Sequence, residues 1–172
     1  MQGLVHIYCG KGKGKTTASV GLTVRASGAG KRVLFVQFFK SGVSSEIEAL
    51  KQLRNVEVLC CPTPVNFFLK MDEEQKRQAR EIYTPLLEQA LERAGAVDVL
   101  VLDEIISTCT YGIVDEQVLL RFLQNKREDL EVIMTGRDPS EALQELADYI
   151  TEMKKIRHPY DKQIMARKGI EF

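Results

Sequence analysis

Histidine and cysteine are scarce in this chain. Only two histidines occur, His6 and His158, far apart in sequence. The four cysteines, Cys9, Cys60, Cys61 and Cys109, form no C-x-x-C pair. A zinc site is therefore not expected. Cys60 and Cys61 close an apolar run and read as buried free thiols rather than a reactive pair. No Ser-His-Asp or Cys-His nucleophile set is visible. Neither sign of charge dominates: 24 basic residues balance 24 acidic ones. That argues against a general nucleic-acid or membrane partner. No apolar run is long enough to cross a bilayer, and no signal peptide precedes the first strand, so a cytoplasmic setting is expected. The 172 residues show no repeats or linkers and suit one domain, residues 1–172.

What the chain does have is a glycine- and lysine-rich stretch: Gly10, Lys11, Gly12, Lys13, Gly14, Lys15, Thr16 and Thr17. It follows an apolar run, Leu4–Cys9, that reads as a strand. It precedes Ala18–Ala26, which reads as a helix running to about Gly28. Strand, glycine turn and helix start make a phosphate cradle, because glycines let backbone N–H groups approach an anion and the helix start adds unpaired donors. Lys15 is expected at the helix start, facing solvent and ligand, where it reaches the outer phosphates. Thr16 offers a hydroxyl to Mg²⁺. The usual spacing places a glycine five residues before Gly14, and that position is Cys9. The loop is one residue short. The bland alternative is a glycine turn that merely joins strand to helix.

Further apolar runs alternate with helical patterns, the signature of a mainly parallel α/β sheet with crossover helices on both faces. Strands are expected at Arg32–Phe39, Val56–Cys60, Val97–Asp103, Glu131–Thr135 and Tyr149–Met153. Their near-continuous apolar character suits burial on both faces. Glu46–Leu53 reads as a short helix. Asp72 and Gln75 read as a capping box opening a helix that Pro85 kinks or breaks at Thr84 and Gly95 ends. Asp115 caps another helix. Asp138-Pro139-Ser140-Glu141 reads as an N-cap, a proline at N1 and a glutamate at N3. The tail from Lys154 to Phe172 reads as irregular and solvated. Between Pro62 and Met71 lies an apolar loop with Phe67 and Phe68. They either pack onto the domain or wall a large flat ligand.

Two more features carry chemistry. Val99–Leu102 ends in Asp103 and Glu104, and such a strand is expected beside the phosphate loop with an acid near Mg²⁺. Alternation along the strand leaves open which acid faces the metal. Thr135-Gly136-Arg137 ends the fifth strand at the same edge. Arg137 either holds a phosphate through paired N–H groups or is a surface residue after a turn.

These motifs together resemble a family. GKGKGKTT after the first strand, RVLFVQFFK in the second, VLVLDE in the fourth and TGR after the fifth look like ATP:corrinoid adenosyltransferases, as do ADYITEM, RHPYD and ARKGIEF toward the C-terminus. The resemblance covers essentially the whole chain, and the shortened loop is specific to it. It implies a fold similar to recombinase-type phosphate-loop ATPases, with ATP lying in reversed direction along the loop. It implies transfer of the 5′-deoxyadenosyl group from ATP to reduced cobalt in a corrinoid, cobalamin or cobyrinic acid a,c-diamide, with release of triphosphate. The corrinoid supplies the nucleophile, so no nucleophilic side chain is needed. By position, Gly10 to Thr17 match the triphosphate loop, Lys15 and Glu104 take catalytic roles, and Thr16, Asp103 and Glu104 meet Mg²⁺. Phe67 or Phe68 falls near aromatics that displace the lower axial ligand of cobalt. That match is loose, since relatives can carry a tryptophan and this chain has none. The resemblance also implies a homodimer and an electron-donating reductase or flavoprotein. Longer relatives carry an N-terminal arm over the neighbouring site. This chain begins at its first strand, so such a cover is expected from elsewhere or not at all. The rivals are an ordinary phosphate-loop ATPase or kinase, with Glu104 orienting an acceptor, and a corrinoid carrier gated by nucleotide.

Overall fold

The computed structural model describes residues 2–40, 44–61 and 71–172. Phe67 and Phe68 lie outside the described residues. The strands are β1 (Val5–Cys9), β2 (Val33–Gln37), β3 (Val56–Cys60), β4 (Val99–Asp103), β5 (Glu131–Thr135) and β6 (Tyr149–Glu152). They form one sheet in the order β3-β2-β4-β5-β1-β6, and every pairing is parallel. All five residues of β2 and of β4 are buried, as two-sided coverage demands of central strands. The edge strand β6 is exposed throughout.

Alternate residues of the central strands feed two cores. Leu34, Val36, Leu100 and Leu102 face one side, with α3 (Glu73–Arg93), α4 (Ile105–Thr110), α5 (Glu116–Asn125) and α6 (Glu141–Glu145). Val33, Phe35, Val99 and Val101 face the other, with Ala26 of α1 (Lys15–Gly28) and Ile47 and Leu50 of α2 (Ser45–Leu50). Helices therefore cover both faces, as expected.

Some local expectations hold and several change. The strand carrying the acids ends at the phosphate loop, Asp103 Oδ2 accepting from Thr16 Oγ1 at 3.2 Å, although β5 separates it from β1. Helix α1 bridges the gap, because it packs across both β4 and β5. It starts at Lys15, inside the glycine stretch, rather than at Ala18. Pro85 does not break α3, which runs unbroken for 21 residues. An internal proline costs roughly 3 kcal/mol, and Ala79, Tyr83, Leu87 and Ala90, all buried on one face, offset it. The capping box is present: Gln75 N donates to Asp72 Oδ1 at 2.8 Å and Asp72 N to Gln75 Oε1 at 3.0 Å. The cap of α6 is Ser140, not Asp138; its Oγ accepts from Leu143 N at 3.2 Å. Asp138 sits earlier in the turn, at φ 50°. Helix α4 follows β4 directly and was not anticipated.

Candidate active site

Parallel strands bring their carboxyl ends to one edge of the sheet. Here that edge collects the glycine stretch after β1, Lys40 after β2, Glu104 after β4 and Arg137 after β5. They line a cavity of about 560 Å³, together with Glu46 of α2 and the C-terminal residues Gly169 to Phe172.

The cradle is built around the start of α1. Its N-cap is Gly14, at φ 118°, and no side chain caps the helix. The first-turn N–H groups therefore stay open to an anion, with the positive end of the helix dipole behind them. Gly12 runs against the end of β6: its N donates to Met153 O at 2.5 Å, and a Cβ there would lie 2.5 Å from that same oxygen. Only glycine permits this approach.

Lys15 does not face solvent as expected. It is 8% exposed, and its Nζ donates to Gly10 O at 2.8 Å and Gly12 O at 3.1 Å. The ammonium thus spans its own loop. Burial pulls its pKa below the ordinary lysine value; Glu104 and Asp103 oppose that, while Arg137 adds to it.

Asp103 is fully buried and is the hub of the site. Its Oδ1 accepts from Thr135 Oγ1 at 2.8 Å. Its Oδ2 accepts from Thr16 Oγ1 at 3.2 Å, Lys40 Nζ at 3.3 Å and Gln37 Nε2 at 3.4 Å. The open question of the two acids is answered in part: Asp103 meets the Thr16 hydroxyl. Glu104, at φ 64°, lines the cavity, and its Oε2 accepts from Ser107 Oγ at 2.7 Å. Ser107 Oγ in turn accepts from Arg137 N at 3.1 Å, tying the turn after β5 to α4. Gly136 permits this contact, since at φ 151° a Cβ would lie 2.6 Å from Ser107 N.

Sequence reasoning missed Lys40, Glu46 and the tail. Lys40 Nζ donates to Thr16 Oγ1 at 3.0 Å and pairs with Glu46 at 3.4 Å. Burial works against its charge, but the carboxylates of Asp103 and Glu46 outweigh burial and raise its pKa. The signal was available: Lys40 ends the RVLFVQFFK motif, at the carboxyl end of a strand. The tail is not merely solvated. Lys13 Nζ donates to Glu171 Oε1 at 3.2 Å, and Ser45 Oγ to Phe172 O at 3.1 Å.

Mg²⁺ seeks hard oxygen donors and keeps part of its shell as water and substrate phosphate. Thr16 Oγ1 and Asp103 Oδ2 supply such oxygens side by side. Gln37 Oε1, buried beside them, has no partner among the described residues. The donor set fits that ion. No group of three or more His, Cys, Asp or Glu able to hold a metal occurs among the described residues, so phosphate oxygens and water would have to complete the shell of such an ion.

Comparison with known proteins identifies the family. The family model for ATP:corrinoid adenosyltransferase BtuR/CobO/CobP matches residues 1–172. The corrinoid adenosyltransferase of Escherichia coli strain K12 is 28% identical over 171 residues, covering 99% of this chain and 86% of its own length. That of a Sinorhizobium species is 32% identical over 178 residues, covering 99% and 81%. Corrinoid adenosyltransferase CobA of Salmonella typhimurium is 30% identical over 174 residues, covering 99% and 86%. A solved structure of ATPases 2 and 3 of EssC from Geobacillus thermodenitrificans covers 97% of this chain and 35% of its own, with TM-score 0.55 and 15% identity, a likeness of fold alone. From its first residue to its last, then, this chain belongs to the ATP:corrinoid adenosyltransferase family.

Proposed function

We propose that this protein transfers the 5′-deoxyadenosyl group of ATP to the reduced cobalt of a corrinoid, with Mg²⁺ held at Thr16 and Asp103. The carrying observation is the uncapped start of α1 beside the Thr16–Asp103 pair. It is suited to holding a triphosphate intact. In the reaction, cobalt(I) of the substrate gives an electron pair to C5′, the C5′–O bond breaks, and the pair leaves on the triphosphate.

The chain's residues act mainly on that leaving group. The backbone from Lys11 to Thr17 binds and orients it. Lys15 exchanges the carbonyls of Gly10 and Gly12 for phosphate oxygens and offsets the growing charge, as preorganised donors do. Arg137 and Lys13 add fixed positive charge around it. Thr16 and Asp103 would hold Mg²⁺, which supplies Lewis-acid neutralisation of the departing phosphates. Glu104 is held by Ser107 within the cavity and would orient water beside a bound Mg²⁺. Orientation of two bound substrates supplies the rest.

Other parts of this reading come from the resemblance of the motifs alone. They are a homodimer, an electron-donating reductase or flavoprotein, and Phe67 or Phe68 against the corrin ring. A cytoplasmic setting accords with four cysteines of which none forms a disulfide among the described residues. No helix among the described residues is long and apolar enough to cross a membrane.

The test mixes protein, ATP, MgCl₂ and chemically reduced cobalamin or cobyrinic acid a,c-diamide. The cobalt–carbon spectrum should appear together with stoichiometric intact triphosphate. Release of ADP instead would assign the site to an ordinary ATPase or kinase. Binding of both substrates without adenosylation would assign it to a carrier.

A further inference from the structure

We infer that Lys40 is a built-in counter-ion: its ammonium holds the metal position until nucleotide and metal arrive together, and then turns onto the triphosphate. The inference rests on the metal reading of Thr16 and Asp103 given above. It concerns a residue to which that reading gave no role.

The geometry is specific. Lys40 Nζ lies 3.0 Å from Thr16 Oγ1, 3.3 Å from Asp103 Oδ2 and 3.4 Å from Glu46 Oε1. The first two atoms are also the oxygens best suited to Mg²⁺. A Mg²⁺ bound to them sits at roughly 2.0–2.1 Å from each oxygen. An ammonium cannot stay on the same lone pairs at that separation, so one cation replaces the other.

Electrostatics decide when the exchange occurs. Asp103 is fully buried, and Thr135 Oγ1 pins its other oxygen, so the carboxylate cannot swing out to water. A buried carboxylate stripped of its cation is strongly destabilising. Lys40 supplies that cation in the nucleotide-free protein. Mg²⁺ alone must expel Lys40, after which two cations share a site whose remaining anions are Glu46 and Glu104. A triphosphate changes the balance, because it offers Lys40 new anionic oxygens within reach of its flexible four-carbon stem. Metal entry is thereby linked to triphosphate entry.

The experiment measures thermal unfolding without nucleotide, with and without millimolar MgCl₂, against NaCl of equal ionic strength. The wild-type melting temperature should move by less than about 1 °C on adding Mg²⁺. Lys40→Met should melt about 5–10 °C lower in metal-free buffer and regain at least half of that loss with MgCl₂ but not with NaCl. The double variant Lys40→Met/Asp103→Asn should recover stability without metal and ignore MgCl₂. If Lys40→Met does not fold metal-free, the readout is recovery of native circular dichroism on adding MgCl₂. A Lys40→Met protein that is as stable as wild type, or that gains no more from MgCl₂ than wild type, overturns the inference. So does an unfolded variant that MgCl₂ does not rescue. A separate titration of wild type with ATP, with and without MgCl₂, isolates the parent reading. Affinity indifferent to Mg²⁺ removes the metal from Thr16 and Asp103 altogether, and Lys40's role with it. Mg²⁺-dependent affinity together with a silent Lys40→Met variant removes only Lys40.

Discussion

Lys15 shows how far a motif alone informs. Its type and spacing point to phosphate, yet its resting position is not at the ligand. Its ammonium crosses the loop to Gly10 O and Gly12 O. Those two contacts hold the loop in its cradle shape before any nucleotide arrives. Lys15→Ala should therefore do two things. Turnover should fall about a hundredfold or more, the cost of removing a preorganised donor of roughly 3 kcal/mol from the leaving group. Stability should fall by about 1–2 kcal/mol, because two loop carbonyls lose their donor. Single-turnover adenosylation and urea unfolding on one preparation measure both, and unchanged turnover in the folded variant would remove Lys15 from the chemistry. Asp103, by contrast, was legible in type but not in direction. Alternation along β4 put the two acids on opposite sides without saying which side was the site. Only the position of α1, which packs across β4 and β5, decides that Asp103 meets Thr16.

The strands were legible because burial on both faces leaves little room for anything but apolar residues, as in VLFVQ and VLVLD. Their order was not, since non-neighbouring pairings such as β1 with β5 leave no mark on local sequence. Helix α4 was hidden for a different reason. IISTCT follows β4 across only Asp103 and Glu104, with no glycine or proline between, and is too short to show a helical period. Its hydroxyls are satisfied locally, Thr108 Oγ1 donating to Ile105 O at 2.6 Å and Thr110 Oγ1 to Ile106 O at 2.9 Å. At the opposite edge, β2 and β4 are tied together before they start. Arg32 N donates to Asp98 Oδ2 at 2.8 Å and Arg32 Nη2 to Asp98 Oδ1 at 2.9 Å. These bonds, the side-chain one foremost, lower the Asp98 pKa from the ordinary 3.8 to about 2. The unfolded chain thus takes up this proton at higher pH than the folded one. The clamp's contribution is complete above the ordinary aspartate value and disappears as pH falls toward about 2. Asp98→Asn should cost about 0.5–1 kcal/mol near neutral pH, as a solvent-screened pair does. Urea midpoints of wild type and variant should converge as the buffer is taken through the acid range. A gap that stays constant with pH would deny the clamp its charge.

The sheet brings distant parts of the chain to one cavity, and the C-terminal segment closes the circuit. Tyr149–Glu152 pairs with β1, Met153 O receives Gly12 N, and Glu171 comes back to Lys13. The tail is mostly exposed, so its composition alone read as solvated. Its return to the loop depends on contacts that no periodicity announces. Its consequence for binding follows from charge. Arg167 foremost, then Lys13, hold the Glu171 carboxyl ionised down to about pH 2. At any working pH it is therefore an anion resting on a lysine of the triphosphate loop. An incoming triphosphate must compete with it for Lys13. Glu171→Gln keeps the shape and removes that charge, so ATP should bind about threefold more tightly, a size set by solvent screening of an exposed pair. The gain should shrink as salt rises, because exposed charges are screened within about 8 Å at physiological ionic strength. Isothermal titration with ATP and MgCl₂ at low and high NaCl reads both effects. Weaker ATP binding by Glu171→Gln at low salt would mean that the tail supports the nucleotide rather than competing with it.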